Sequence, residues 1–236
     1  MESTLSTFVA LDGDNIAVQD WPLEDRATVR GMVLLLHGLG EHAGHYDALA
    51  CQLNDWGFAV RGYDQYGHGQ SGGVRGSVPS DTRLLDDLTD MVDSTRTRMP
   101  SNMPLILLGH GLGGLVAALF VAQAIRPVQA LVLSSPTLNP GLGRAEAFGL
   151  AVLSSLTPHW RVCKGMTGRL ARFVAEGGPV VLKRAASWQV PTLLLSAGID
   201  QTGNPAESRT FVSAAPKAVV TEGDISMLKP WLDARF

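Results

Sequence analysis

The sequence predicts a fold of the α/β class, in which a mostly parallel central sheet is flanked by helices. Short apolar runs alternate with segments of helical periodicity along most of the 236 residues. This alternation is typical of parallel sheets, because each crossover between parallel strands usually contains a helix. The chain is 45% hydrophobic, which is enough apolar surface for one large core. No internal repeat or low-complexity linker marks a second domain.

The predicted elements follow one another in a regular order. A hairpin comes first, because Asp-Gly-Asp-Asn at 12–15 separates the runs 7–10 and 16–19. Residues 84–98 form an amphipathic helix, since apolar side chains recur there at i, i+3 and i+4. The core strands are predicted where apolar runs end at turn residues, at 32–36, 58–61, 105–108, 130–133, 192–196 and 218–221.

The most informative motif is Gly-His-Gly-Leu-Gly-Gly at residues 109–114, between a predicted strand and a predicted helix. A strand, a sharp glycine-lined turn and a helix form the nucleophile elbow of α/β-hydrolases, where the centre of G-x-S-x-G is a serine. Here the central residue is Gly111, which has no side chain to attack a carbonyl. A glycine-rich turn in any doubly wound sheet is the alternative interpretation.

Two further loops favour the hydrolase interpretation. The strand 32–36 continues into His-Gly-Leu-Gly-Glu-His, a loop that can direct a backbone N–H at the elbow as half of an oxyanion hole. The predicted donors are the N–H groups of Leu39 and Leu112. The second loop, Gly-Tyr-Asp-Gln-Tyr-Gly-His-Gly-Gln-Ser-Gly at 62–72, follows the next strand. The alternatives are a plain strand-to-helix turn with surface histidines and a glycine-rich surface loop.

In this order, the three motifs resemble the monoacylglycerol lipase and lysophospholipase group of α/β-hydrolases, from about His37 to the C-terminus. The resemblance implies an α/β-hydrolase fold with a short helical cap inserted after the sixth strand. It divides the chain into core at 1–136, cap at 137–190 and core again at 191–236. It also implies acyl transfer from a small lipophilic ester without a cofactor, with Gly111 at the position of the nucleophile.

The same resemblance assigns roles to the other site residues. Asp200 follows a predicted strand in a Gly-x-Asp step and corresponds to the acid of the triad, although it could instead cap the next turn. Glu41 orders the oxyanion loop, which contains Gly38, and His110 supports the elbow. For His37 and His110 a packed, hydrogen-bonded structural role is the simpler interpretation.

The triad histidine is missing. On this fold the histidine follows the acid, yet all six histidines of the chain precede Asp200. Residues 222–224 lead directly from the last strand into a closing helix, and the segment 136–191 is short for the cap. We therefore expect one of two situations. Either stretches have been omitted, with chain breaks near 163–167 and 221–224, or the chain carries two natural deletions.

Composition excludes several classes of function. The net charge of −3 leaves no basic surface for nucleic acid, and no spacing of Cys and His suggests a metal site. No apolar run reaches the roughly 18 residues of a membrane span. Residues 1–4 lack a secretory signal, which with two unpaired cysteines predicts a cytoplasmic protein. Apolar residues of the cap either pack internally or allow transient contact with a membrane or micelle.

Three functions are compatible with these observations. The first is an esterase or monoacylglycerol lipase of lipid metabolism whose serine has been replaced. The second is a naturally non-catalytic relative that binds a hydrophobic ligand or partner. The third is a non-hydrolytic enzyme that uses the oxyanion loop without a serine. The intact motif loops favour the first, because a protein without catalysis has no chemical need for them.

Overall fold

The computed structural model of the 236-residue chain describes residues 2–10, 12–23, 29–138, 161–163, 165–196, 205–222 and 225–236. Its strands are β1 (Thr4–Val9), β2 (Asn15–Trp21), β3 (Gly31–Leu36), β4 (Phe58–Tyr63), β5 (Leu105–His110), β6 (Ala130–Ser134), β7 (Arg161–Cys163), β8 (Met166–Thr167), β9 (Thr192–Ser196) and β10 (Ala218–Glu222). Its helices are α1 (Asp47–Asp55), α2 (Arg83–Arg96), α3 (Gly111–Ala122), α4 (Gly168–Arg184), α5 (Pro205–Ala214) and α6 (Leu228–Asp233). Strands and helices alternate as predicted, and the predicted fold class is confirmed.

The eight-stranded sheet has the order β1-β2-β4-β3-β5-β6-β9-β10. β1 pairs antiparallel with β2, and β2 antiparallel with β4, while the other six strands are parallel. Leu36 at the end of β3 is in register with Tyr63 of β4 and with Gly109 of β5. Because β3, β4 and β5 end at one edge, the three motif loops that follow them also meet there.

The core has two layers because successive side chains of a strand point to opposite faces of the sheet. Leu34 and Leu36 of β3 belong to the larger cluster, which is covered by α2, α3 and α4. Val33 and Leu35 belong to the smaller one, which is covered by α1 and α6. Helix α3 is buried along most of its length, so the elbow at its first residue rests on a rigid element.

The predicted cap segment, 137–190, falls into two parts in the structure. Residues 139–160 lie outside the described residues, so the helical cap and its contact with lipid stay predictions. The later part of the segment belongs to the core, because apolar side chains of α4 such as Leu170 and Val174 are buried in the larger cluster. A Cβ at Gly177 of α4 would lie 2.9 Å from Cδ1 of Leu119 in α3, which shows how closely the two helices pack.

The joins near 163–167 and 221–224 include residues 164, 223 and 224, which lie outside the described residues, so the expected omissions or deletions there stay predictions. At the first join, β7 and β8 form a hairpin in which Cys163 pairs with Met166. At the second, β10 ends at Glu222 and a helical turn starts at Ile225, while 223 and 224 lie outside the described residues.

Candidate active site

Gly111 occupies the sharp turn between β5 and α3. Its φ of +51° lies in the left-handed region, which side chains other than that of glycine adopt only at a cost. A Cβ built on Gly111 would have the Cα of Gly38 as its nearest neighbour, at 3.7 Å, which is an ordinary van der Waals contact. The backbone therefore has an elbow-like conformation, and position 111 has space for a side chain.

The glycines around Gly111 permit the close approach of strand and helix. A Cβ at Gly109 would lie 2.5 Å from the carbonyl oxygen of Gly113, and a Cβ at Gly113 would lie 2.6 Å from that of His37. Real Cβ atoms do not approach backbone this closely. Side chains at these two positions would push α3 away from β5 and from the loop after β3, so the elbow depends on their absence.

The two predicted oxyanion donors are free to bind a ligand. Leu112 is the second residue of α3, where the helix offers its N–H no acceptor. Within the described parts of the chain, neither the N–H of Leu112 nor that of Leu39 makes a hydrogen bond. Leu39 follows Gly38, whose Cα lies beside position 111. The loop after β3 thus passes beside the elbow, with the free N–H of Leu39 one residue from the point of contact, and α3 supplies a second free N–H at Leu112.

The carboxylate of Glu41 fixes this loop. Its Oε2 accepts hydrogen bonds from the N–H of Gly38 at 2.8 Å and from the hydroxyl of Tyr46 at 2.5 Å. Burial by itself would raise the pKa of Glu41, but the bonds from Tyr46 and Gly38 outweigh it, and the pKa is lowered. A Cβ at Gly38 would lie 2.9 Å from Oε2 of Glu41 and from Cδ2 of His110. A side chain at position 38 would therefore require Glu41 or His110 to move.

His37 links the oxyanion loop to the loop after β4. Its Nε2 accepts the N–H of Gln65 at 2.9 Å, so its Nδ1 carries the proton and donates to the carbonyl oxygen of Gly38 at 2.7 Å. The side-chain amide of Gln65 donates in return to the carbonyl oxygen of His37. Burial lowers the pKa of His37 to about 4, so the ring is neutral near pH 7. With both nitrogens occupied, His37 cannot serve position 111 as a base.

The loop after β4 is held mainly by Asp64. Its two carboxylate oxygens accept the N–H groups of Ala43 and Gln70, each at 2.8 Å. The hydroxyl of Ser71 donates to the carbonyl oxygen of Asp64 and accepts the N–H of Ala17. A side chain at Gly69 would collide with the carboxylate of Asp64. This motif therefore fixes the backbone around the site.

His110 precedes the elbow and faces β6, where its Nδ1 lies 3.2 Å from the hydroxyl oxygen of Ser134. The structure thus places Gly38, Glu41 and His110 against one another beside Gly111, with the free N–H groups of Leu39 and Leu112 nearby. Asp200 lies outside the described residues, so its predicted role stays a prediction.

Sequence reasoning missed three residues that hold the site: Tyr46, Asp64 and Gln65. Asp64 and Gln65 lie inside the motif at 62–72, and Tyr46 lies four residues after the His-Gly-Leu-Gly-Glu-His loop. The polar residues that cluster in and after these loops were the available signal. Among the described residues, no group of three or more His, Cys, Asp or Glu side chains is placed to hold a metal ion. In the same part of the chain, no helix has the length and apolar character that a membrane span requires.

Comparison with known proteins places these loops in a family. The model of a family described as serine aminopeptidase, S33, matches residues 27–167, a region that contains all three motif loops. The chain belongs to this family. Its resemblance to monoacylglycerol lipases is therefore confirmed, within a larger group of serine esterases and lipases.

Among its S33 relatives, the monoacylglycerol lipase of Mycolicibacterium smegmatis is 32% identical over 98% of this chain and 81% of that protein. An uncharacterized abhydrolase domain-containing protein of Dictyostelium discoideum is 23% identical over 93% of this chain. The chain spans about a quarter to about half the length of several curated relatives. A soluble variant of monoglyceride lipase from Saccharomyces cerevisiae, solved with a substrate analog, shares the S33 fold, with a TM-score of 0.85 at 18% identity over 100% of this chain and 95% of that chain.

Proposed function

We propose that this chain carries the ester-binding site of a monoacylglycerol lipase-type esterase, and that the site binds a small lipophilic acyl ester without hydrolysing it. The observation that carries the proposal is Gly111, whose backbone has the conformation of a nucleophile elbow beside two free N–H groups. The relatives named as monoacylglycerol or monoglyceride lipases support a monoester of glycerol as the class of ligand.

The ester would be held through its carbonyl group. Backbone N–H groups that lack an internal partner are strong donors in a site from which water is excluded. Leu112 is buried and Leu39 half-buried, so the N–H groups lie among apolar side chains. A carbonyl oxygen accepting from both would place its carbon near position 111. This arrangement is already preorganised, because Glu41 and His37 fix the loop in the absence of ligand.

Hydrolysis is not expected, because two groups of the reaction are missing. Acyl transfer of this type requires a nucleophile and a base that removes its proton. Gly111 supplies no oxygen, and the sequence contains no histidine after Asp200. An oxyanion hole alone accelerates such reactions only about 10³–10⁴-fold over water. Any turnover by this chain is therefore expected to be slight.

The experiment combines ligand binding with restoration of the nucleophile. Isothermal titration with a medium-chain monoacylglycerol, below its micellar concentration, is expected to show binding to the native chain. Nitrophenyl esters are expected to show no turnover above buffer. Gly111→Ser is expected to react slowly with a fluorophosphonate, and faster as the pH rises, because the serine lacks a base. Full esterase activity is expected only when a histidine loop is added as well.

Gly40→Ser is the matched control, because Gly40 also has a positive φ, of 76°, and open space around it, but lies outside the elbow. Equal labelling of the two serines would contradict the proposed elbow geometry. Failure of the folded native chain to bind monoacylglycerol would overturn the proposed ligand. Ester turnover by the native chain, at rates typical of esterases, would overturn the claim that the ligand is held without cleavage.

A further inference from the structure

A cavity of about 430 Å³ is lined in part by residues 39–41 of the oxyanion loop. It is formed by the loops that follow β3 and β4 and by the β7–β8 hairpin. Its lining includes Leu39 and Glu41 as well as the guanidinium-bearing residues Arg75 and Arg161. The cavity therefore shares Leu39 with the proposed ester site and adds two guanidinium-bearing side chains to its lining.

Among the described residues, the two arginines have no acidic partner. Arg75 donates one hydrogen bond, to the carbonyl oxygen of Gly69 at 2.6 Å, and Arg161 is exposed. No carboxylate of the described residues lies within ion-pair distance of either side chain. A guanidinium group has five N–H donors in a planar fork that matches the oxygens of phosphate and carboxylate groups. Most of these donors are unused in this cavity.

Backbone contacts keep Arg75 and Arg161 at the same cavity although they are far apart in sequence. The N–H of Thr167 donates to the carbonyl oxygen of Gly76 at 2.8 Å. Gly76 has a φ of +70°, and a side chain there would collide with the carbonyl group of Gly165. The β7–β8 hairpin is thus seated directly on the residue that follows Arg75, and its first residue is Arg161.

The other ionisable groups at the cavity leave it positive. The carboxylate of Glu41 is ionised but already accepts bonds from Gly38 and Tyr46. Burial lowers the pKa of His68, and the charge of Arg75 lowers it further, so this histidine is neutral near pH 7. The two guanidinium charges therefore face a single carboxylate whose lone pairs are partly used.

We propose that this cavity is a subsite for a phosphate group, bound by the guanidinium groups of Arg75 and Arg161. On an amphiphile whose acyl ester occupies the elbow, the phosphate would bind in this cavity; free inorganic phosphate has the same recognition chemistry. The binding of a phosphorylated acyl ester rests on the proposed function, whereas the binding of inorganic phosphate does not.

The test measures three probes by isothermal titration: inorganic phosphate, monooleoylglycerol and monooleoylglycerol phosphate, the lipids below their micellar concentrations. The native chain is expected to bind the phosphorylated lipid more tightly than the neutral one. The double variant Arg75→Gln/Arg161→Gln is expected to lose about 10²-fold in affinity for the phosphorylated lipid, at about tenfold per charged hydrogen-bonding partner, and to keep its affinity for the neutral lipid.

The control is Arg98→Gln/Arg184→Gln, which removes the same charge at two arginines that do not line the cavity. Equal affinity of the native chain for the two lipids, or an equal loss in both double variants, would overturn the subsite. Binding of the neutral lipid would in that case leave the proposed function standing. Binding of inorganic phosphate that depends on Arg75 and Arg161, without binding of either lipid, would support the subsite and overturn the proposed function.

Discussion

Glu41 in the oxyanion loop and Asp87 in α2 are both carboxylates removed in part from water, and their pKa values move in opposite directions. Glu41 accepts two short hydrogen bonds on one oxygen, from Gly38 and Tyr46, and its pKa falls although burial opposes this. Burial raises the pKa of Asp87 to about 7, although Arg83 opposes the rise.

The surroundings of Asp87 explain the difference. Its Oδ1 accepts the Nε–H of Arg83 at 2.7 Å, but its Oδ2 is buried without a hydrogen-bond partner. Arg83 is also shared with Asp12 and Asp14 of the β1–β2 turn, and Asp12 repels the charge of Asp87. The guanidinium group of Arg83 thus forms ion pairs with three carboxylates. Asp87 is the more deeply buried of the two, and the charge and hydrogen bond of Arg83 do not offset the effect of burial on its pKa, whereas the two bonds to Glu41 do.

The two carboxylates also have different structural roles: Glu41 holds a loop of the candidate site, and Asp87 belongs to a cluster that attaches one element to another. The bonds to Glu41 keep the oxyanion loop in one conformation over a wide pH range. The Arg83 cluster fastens the β1–β2 turn to α2, and its central carboxylate can be protonated near neutral pH without loss of the bond from Nε of Arg83. If this account is right, the two regions should respond differently to mutation and to pH.

Arg83→Met is expected to have the largest effect. It leaves the buried Asp87 without its cation and removes both links to the β1–β2 turn, so we expect a loss of about 3 kcal/mol in the free energy of unfolding. Urea denaturation at pH 7.5 measures it. The control is Arg126→Met, whose exposed surface pair with Asp93 is expected to contribute little to stability. Similar losses in both variants would contradict a special role for the buried cluster.

Asp87→Asn is expected to change the pH dependence of stability. The pKa of Asp87 is about 7 in the folded chain, against an ordinary value of 3.8, so the folded state binds this proton more tightly. Its contribution is therefore complete below pH 4 and is lost as the pH rises towards 7, with a slope of at most about 1.4 kcal/mol per pH unit. The free energy of unfolding of the native chain minus that of the variant, plotted against pH, should show this slope. A difference that does not change between pH 4 and 7 would refute the raised pKa.

Tyr46→Phe is expected to have the smallest of these effects on stability, about 1 kcal/mol, because it removes one of the two donors to Glu41. The pKa of Glu41, followed by NMR, should rise towards its ordinary value. Since the lowered pKa of Glu41 adds stability that is lost as the pH falls through it, the variant should lose less on acidification. Tyr66→Phe is the control, because among described residues the hydroxyl of Tyr66 makes no hydrogen bond. Equal pKa changes for Glu41 in both variants would contradict this assignment.

The periodicity of the sequence was sufficient for the fold, because each core strand is an apolar run that ends at turn residues. The predicted ends of the strands were less accurate. The run at 58–61 extends to Tyr63 because β2 and β3 continue to pair with it. The first hairpin likewise runs over Thr4–Val9 and Asn15–Trp21, as pairing includes polar residues that apolar patterning does not detect.

The site was predictable only in part. Leu39, Gly111 and Leu112 were found because they occupy fixed positions in motifs. The bond from Tyr46 to Glu41 follows no helical or strand spacing, since a 3₁₀ turn between them sets the distance. The spacing of Arg83 and Asp87 predicts an i, i+4 pair, but not its burial beneath the β1–β2 turn. Arg75 and Arg161 meet only because the β7–β8 hairpin contacts Gly76.

The packing of Gly109 and Gly113 has a consequence for how this protein could change. These glycines hold the turn in its shape through backbone contacts alone, without any contribution from the side chain at 111. Selection for a well-packed interior would therefore preserve the turn through generations in which no chemistry is performed there. A single substitution at position 111 would place a serine, a cysteine or an aspartate at this point. Each would cost about 1–3 kcal/mol of backbone strain, because the residue has a left-handed conformation. The fold thus retains an evolutionary route, and an engineering one, to several different nucleophiles.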